Sequence, residues 1–296
     1  MLSDFSVRVA VVVASCGRPI ELGQLLDHLA RQTLQPNRIV LSVVESGDLP
    51  LKIPTSVIVL KGGKGSSAQR NRGLERILDD CEFVFICDDD YVPSDRTIEG
   101  VADFFSVFPE VVGANGLLIA DGINSPGVSY EDAVAMVTRH DAAPPSEPEL
   151  LKDLDGLYGC NMAFRATAIL DARFDEALPL YGWQEDVDFS AQLLKRGRLV
   201  KTQAFAGVHR GVKGGRTSGL RFGYSQVINP IYLVRKGTMR TAMAIRIVLK
   251  NVLANHLRVL RPEPWVDRIG RVRGNWIAFG DLLMGRAHPT RILDLV

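Results

Sequence analysis

A chain of 296 residues with 46% hydrophobic and 23% charged side chains can bury one large core and a smaller appendage, which excludes a disordered or fibrous protein. The net charge of +1 argues against nucleic acid as a partner, and no apolar run reaches the roughly 18 residues that a membrane-spanning helix requires. Cys16, Cys81, Cys87 and Cys160 show no paired spacing and the N-terminal apolar run has no basic region before it. A reducing cytosol without a signal peptide is therefore the expected setting.

The predicted elements alternate from the start. Residues 9–14 read as a buried strand, and Pro19 opens a helix carrying Leu22, Leu25, Leu26 and Leu29 at helical spacing. Residues 38–44 and 57–60 read as the second and third strands, and the loop Gly62-Gly63-Lys64-Gly65 leads into a helix through Ala68 and Leu78. Residues 83–87 form the next strand, which ends abruptly in Asp88-Asp89-Asp90. Such alternation predicts an α/β fold with a mostly parallel sheet flanked by helices, whose ligands bind beyond the carboxyl ends of the strands.

Further on, residues 98–108 read as helix and 111–119 as strand, whereas 121–151 lose periodicity, gain Pro144, Pro145 and Pro148, and read as a long loop or lid. Order resumes at residues 156–164, and Asp186 caps a helix that ends in Lys195-Arg196 before Gly197. A second region is expected from about Asn229: a basic amphipathic helix over 239–260, a Pro-rich break, and a shorter helix over 276–284. The domain reading is thus a catalytic unit at 1–228 and a basic helical extension at 229–296.

Chemistry concentrates in three places. Three adjacent carboxylates repel one another by about 1 kcal/mol per pair in water and roughly 4 kcal/mol at an intermediate dielectric. A hard divalent cation, Mn²⁺ or Mg²⁺, relieves that strain at Asp88-Asp89-Asp90; the alternative is a solvated acidic turn that caps the next helix at Ser94 or Asp95. The segment Gly182-Trp183-Gln184-Glu185-Asp186-Val187-Asp188-Phe189 gathers three acids and a Trp at a helix start, which suits either a general base or an ordinary capping cluster. His209 with Arg210, Gly211, Lys213, Gly214, Gly215 and Arg216 combines a candidate metal ligand with a cationic loop suited to a diphosphate. Gly63-Lys64-Gly65-Ser66-Ser67-Ala68 also fits the loose G-x-G-x-x-A pattern of dinucleotide folds, but two strands precede it where that motif normally opens the unit.

Taken in order, these pieces resemble the family 2 glycosyltransferases with the GT-A fold, from about residue 7 to residue 215. Residues 11–19 look like the family's first strand and nucleotide loop, and Val43-Val44-Glu45-Ser46-Gly47-Asp48 like its second-strand acidic motif, with Glu45 where Asp is usual. Residues 65–73 are similar to its Gly-x-x-x-Ala-x-Asn-x-Gly helix start, and Asp88-Asp89-Asp90 stands at its D-x-D motif. The resemblance implies a nucleotide-sugar subsite at Ala14, Ser15, Arg18, Glu45, Gly65, Arg70, Asn71, Asp88 and Asp89, with the metal on Asp90, to which the reading of the residues adds His209. It implies Asp186 as the catalytic base beside Glu185, an acceptor side at Asn161, Trp183 and Asp188, and inversion at the anomeric carbon. A nucleotidyltransferase should carry several Gly and Lys after the first strand, where this chain has one Gly and no Lys; a non-catalytic sugar-binding module would tolerate loss of the acids, yet both clusters are intact.

Charge is unevenly spread. From Ile231 onward there are 12 Lys and Arg against four Asp and Glu, and Arg240, Arg246, Lys250, Arg258 and Arg261 fall on or beside the long helix. An anionic membrane surface or a lipid-linked acceptor is one expected partner, with the protein peripheral on the inner face of a membrane; the other reading has the apolar side packed on the catalytic unit.

Overall fold

The computed structural model describes residues 7–144, 147–214 and 217–295, so Pro145, Gly215 and Arg216 of the expected lid and cationic loop lie outside the described residues. A single sheet organises the chain, built from β1 (Val9–Ala14), β2 (Arg38–Val43), β3 (Val57–Lys61), β4 (Phe83–Asp88), β5 (Tyr91–Pro93), β6 (Val111–Asp121), β7 (Leu150–Asp153), β8 (Asn161–Arg165) and β9 (Arg198–His209). Its order is β3-β2-β1-β4-β8-β6-β9-β5, with β7 also paired to β9. Strands β1, β2, β3, β4, β6 and β9 run one way, and β5, β7 and β8 run against them. The expected α/β sheet with flanking helices and a helical C-terminal region is what the chain forms.

Period-two alternation in β1 explains how both faces are covered. Val9, Val11 and Val13 face the layer that includes Leu22, Leu25 and Leu29 of α1 (Pro19–Leu29) and Phe104 and Phe105 of α3 (Thr97–Val107). Ala10 and Val12 face the opposite layer, with Leu74 and Ile77 of α2 (Ser66–Ile77) and Phe189 and Leu193. Every one of these side chains is buried, so a one-residue slip of β1 would exchange its two apolar faces.

The stretch expected as a loop contains helix α4 (Tyr130–Asp141), begun by Ser129 Oγ accepting from the Asp132 N–H, and strand β7. Helix α4 buries only Ala133 and Val137, a stripe too thin to stand out in sequence. A short α5 (Ala166–Ile169) and then α6 (Glu185–Leu193) complete the sheet-bearing part.

Three helices follow: α7 (Gly219–Lys236), α8 (Thr241–Arg258) and α9 (Arg268–Leu283). The boundary expected at residues 228/229 falls inside α7, and the second predicted helix begins at Arg268 rather than near 276. Helices α7 and α9 touch backbone to backbone, since a Cβ on Gly223 would sit 2.1 Å from the Arg271 carbonyl oxygen and one on Gly274 2.0 Å from that of Leu220. A buried polar chain joins all three: Asn255 Nδ2 donates to Gln226 Oε1 (2.8 Å) and Asn275 Oδ1 (3.0 Å), and Arg268 Nη1 donates to Asn255 Oδ1 (2.9 Å).

Candidate active site

Strand β4 delivers Asp88 to the carboxyl edge of the sheet, and Asp89 and Asp90 occupy the turn into β5. The three acids have different partners. Asp89 accepts from Ser15 Oγ at 2.7 Å and from Arg18 Nη1 at 2.8 Å, so it locks the loop after β1 in place. Burial pushes its carboxyl up to about 7, opposed by the Arg18 guanidinium and reinforced by Asp90. Asp90 accepts the Val212 N–H on Oδ2 at 2.7 Å, while its buried Oδ1 has no hydrogen-bond partner among the described residues. His209, the last residue of β9, brings Nε2 to 3.6 Å from that oxygen and 3.8 Å from Asp88 Oδ2.

This arrangement fits a divalent cation. One atom each from Asp88, Asp90 and His209 lies within 4.8 Å of the others, and an orphaned buried carboxylate oxygen faces the space between them. His209 Nδ1 donates to Asp121 Oδ1 at 2.8 Å, which orients the ring and leaves Nε2 toward the acids. Burial disfavours the imidazolium, but Asp121, Asp90 and Asp88 outweigh it and hold His209 above its ordinary value.

The second acidic cluster starts α6 behind Gln184, a non-glycine residue with φ of 79°. Arg70, buried on α2, ties the two clusters together: it is paired with Glu185, donates to Asp88 Oδ1 at 3.0 Å and to the Gly159 carbonyl at 3.2 Å, and lies over the Phe174 ring. Gly65, with φ of +149°, supplies the turn that opens α2 beside Leu180. Asp186 accepts from the Gly159 N–H at 3.0 Å and the Val187 N–H at 2.8 Å. Burial raises its carboxyl above the usual range, against Arg70 and these two donors, and burial carries Glu185 up to about 8 against Arg70.

A cavity of about 860 Å³ joins these groups. Ala14, Ser15, Arg18, Gly65, Arg70, Asp88, Asp89, Asp90 and His209 line it, together with Asn161, Trp183, Glu185 and Asp186. Three of the expected site residues do not reach it. Glu45 is exposed beyond β2, and the neighbouring Asp48 is the organiser there, accepting from the backbone of Gly17 at 2.6 Å and of Val44 and Glu45 at 2.9 Å each. Asn71 is turned to the segment after α5, exchanging hydrogen bonds with the Phe174 backbone. Asp188, expected on the acceptor side, points to the C-terminal helices, accepting from Lys236 Nζ at 2.8 Å and Thr238 Oγ1 at 2.7 Å.

The sequence reading also missed a wall of the cavity. Phe222 of α7 stands 5.8 Å from the rings of both Tyr181 and Trp183, and Arg258, Trp265, Arg268 and Arg271 complete that side. The available signal was an aromatic and basic composition without any periodic marker of a site.

No protein-family profile matches the chain. A segment is 33% identical over 90 residues to the uncharacterized glycosyltransferase YwdF of Bacillus subtilis (strain 168), covering 28% of this chain and 33% of that relative, about a third of its length. The fold is similar to the crystal structure of S. aureus TarS 1-349, with a TM-score of 0.55 and 16% identity over 98% of this chain and 83% of that one. It is similar also to TarS 1-349 in complex with UDP-GlcNAc, with a TM-score of 0.53 and 17% identity over 98% of this chain and 84% of that one.

Proposed function

We propose that this protein is an inverting glycosyltransferase that moves a sugar from a nucleoside-diphosphate donor to an acceptor hydroxyl in glycan or glycoconjugate assembly. The observation that carries the reading is one cavity lined both by a cation-ready trio, Asp88, Asp90 and His209, and by a backbone-supported carboxylate, Asp186. The resemblance to YwdF and the TarS complex with UDP-GlcNAc support a nucleotide-sugar donor.

Asp88, Asp90 and His209 would hold Mn²⁺ or Mg²⁺, which supplies positive charge against the departing diphosphate. Arg18 and Arg70 are fixed cations lining the same cavity and need little reorganisation as that negative charge develops. Asp186 takes the proton from the acceptor hydroxyl as its oxygen forms the new bond to the anomeric carbon and the bond to the nucleoside diphosphate breaks. Its raised basicity suits that task, and the Gly159 N–H aims its carboxylate. Trp183 and Phe222 offer an apolar surface against which an acceptor ring can rest.

The test is calorimetric titration of nucleoside diphosphates with Mn²⁺, followed by nucleotide sugars with UDP-GlcNAc first. Wild-type protein is expected to bind UDP only with the cation, and Asp90→Asn to lose that binding at an unchanged melting temperature. Metal-independent binding of equal strength in both proteins would overturn the metal assignment, and no binding of any nucleoside diphosphate would overturn the function.

A further inference from the structure

Helix α8 is packed on one side only. Among its residues just Ala244 and Asn255 are buried, while Val248 and Val252 are partly buried against the core that includes Tyr224 and Ile228. On the outer side Ile245, Leu249, Leu253 and Leu257 follow one another at four-residue spacing and are 55%, 55%, 58% and 71% exposed, with Leu260 just beyond at 83%. Trp276 of α9 is 63% exposed and lies edge-on to His256 of α8, extending this apolar strip sideways. The strip would be costly to leave in water, and no described residue covers it.

Its flank is cationic. Arg246 and Lys250 each follow a strip residue by one position, and Arg240 and Arg261 stand at the two ends. All four are exposed, and none has an ion pair among the described residues. Arg258, grouped with them by sequence, is instead committed to Glu263 at 2.6 Å. The region's acids are likewise engaged: Glu263 by Arg258 and Arg268, Asp267 by the Gly270 N–H, Asp281 by Tyr224 and Arg286, and Asp294 by Arg291. The positive charge beside the strip is therefore uncompensated.

We propose that the outer face of α8, with Trp276, is a seat for an anionic lipid surface. Apolar burial and attraction of Arg246 and Lys250 to headgroups act together on such a surface, and a Trp at its edge suits the interfacial layer. A second copy of the chain meets this face less well, because pairing it with itself sets like charges against each other. Asn251 and Arg258 of the same helix line the active-site cavity, so a lipid-seated α8 holds that cavity about one helix diameter, roughly 10 Å, from the headgroups. The seat itself does not depend on the catalytic reading.

Co-sedimentation with phosphatidylcholine vesicles, with and without phosphatidylglycerol, tests it. Wild-type protein is expected to bind only the vesicles containing phosphatidylglycerol, less so as NaCl is raised, with tryptophan emission quenched by brominated lipid chains in wild type but not in Trp276→Phe. Each charge weighs about five-fold at such a surface, so Arg246→Gln with Lys250→Gln should weaken binding roughly thirty-fold. Leu249→Ser with Leu253→Ser should abolish it; an unchanged melting temperature and unchanged UDP binding in both variants confirm that fold and active site are intact. Failure of wild-type protein to bind at low salt, equal binding to uncharged vesicles, or a dimer in sedimentation that Leu249→Ser with Leu253→Ser dissolves would each overturn the proposal.

Discussion

The two acidic clusters of the cavity solve the same problem in the same way. In the β4–β5 turn, Asp89 is taken up by Ser15 and Arg18, while Asp88 and Asp90, each held through one oxygen by Arg70 or the Val212 N–H, keep the other toward His209. At the start of α6, Asp188 is taken up by Lys236 and Thr238 and Glu185 by Arg70, while Asp186 lines the cavity on backbone donors. In each, at least one carboxylate fixes the architecture while its neighbour faces the cavity. Neighbouring acids thus divide into those whose oxygens are all engaged by side chains and those that keep an oxygen toward the cavity.

The sharpest way to break this comparison is to remove one member of each kind from α6. Asp186→Asn is expected to lower turnover by about 10²–10⁴-fold while leaving nucleotide affinity and melting temperature near wild type, as steady-state kinetics, calorimetry and thermal unfolding would show. Asp188→Ala should do the reverse. It removes the acceptor of Lys236 and Thr238, leaves Lys236 to Asp175 alone, and should cost about 1–3 kcal/mol in denaturant unfolding. Equal stability losses in the two variants would erase the distinction.

A smaller effect sharpens the coupling between Glu185 and Asp186. A base works ionised, so turnover should fall as pH drops through the raised value of this pair, placing the acid limb of the profile above the ordinary carboxylate range. Glu185→Gln removes a neighbouring negative charge and releases Arg70 toward Asp186, so the limb should move to lower pH. A pH–kcat profile for both proteins checks the direction; an upward or absent displacement would show that Glu185 does not tune the base.

Much of the sheet could be read from sequence because its signal is local. The valine run of β1, the leucine stripe of α1 and the apolar strand that stops at Asp88 each carry their period within a dozen residues. Helix α7 is not legible as a unit: Pro230 lies inside it, and its buried face mixes Ser225, Gln226 and Asn229 with Tyr224, Val227 and Ile228, so the apolar stripe is diluted. The site divides similarly. Asp88, Asp90, His209 and Asp186, which line the same cavity, stood out by type and place, whereas the fates of Asp188 and Asn71 depend on partners 48 to 103 residues away that spacing does not reveal. Glu45 drew attention by position in its motif, although Asp48 three residues on bears the hydrogen bonds.

The Asp188 tie also bears on how the protein can be dissected. Lys236 joins Asp175 as well as Asp188, and Tyr232 Oη donates to Asp175, so the end of α7 clasps both flanks of the segment that leads into α6. A shortened version ending before Lys236 would take both the Lys236 and the Thr238 donors away from the Asp188 carboxylate, two positions from Asp186. The C-terminal helices are thus tied to the sheet-bearing part through Asp175 and Asp188. Transplanting the sheet-bearing part into a chimaera requires carrying the clasp with it or replacing Asp175 and Asp188 in the same step.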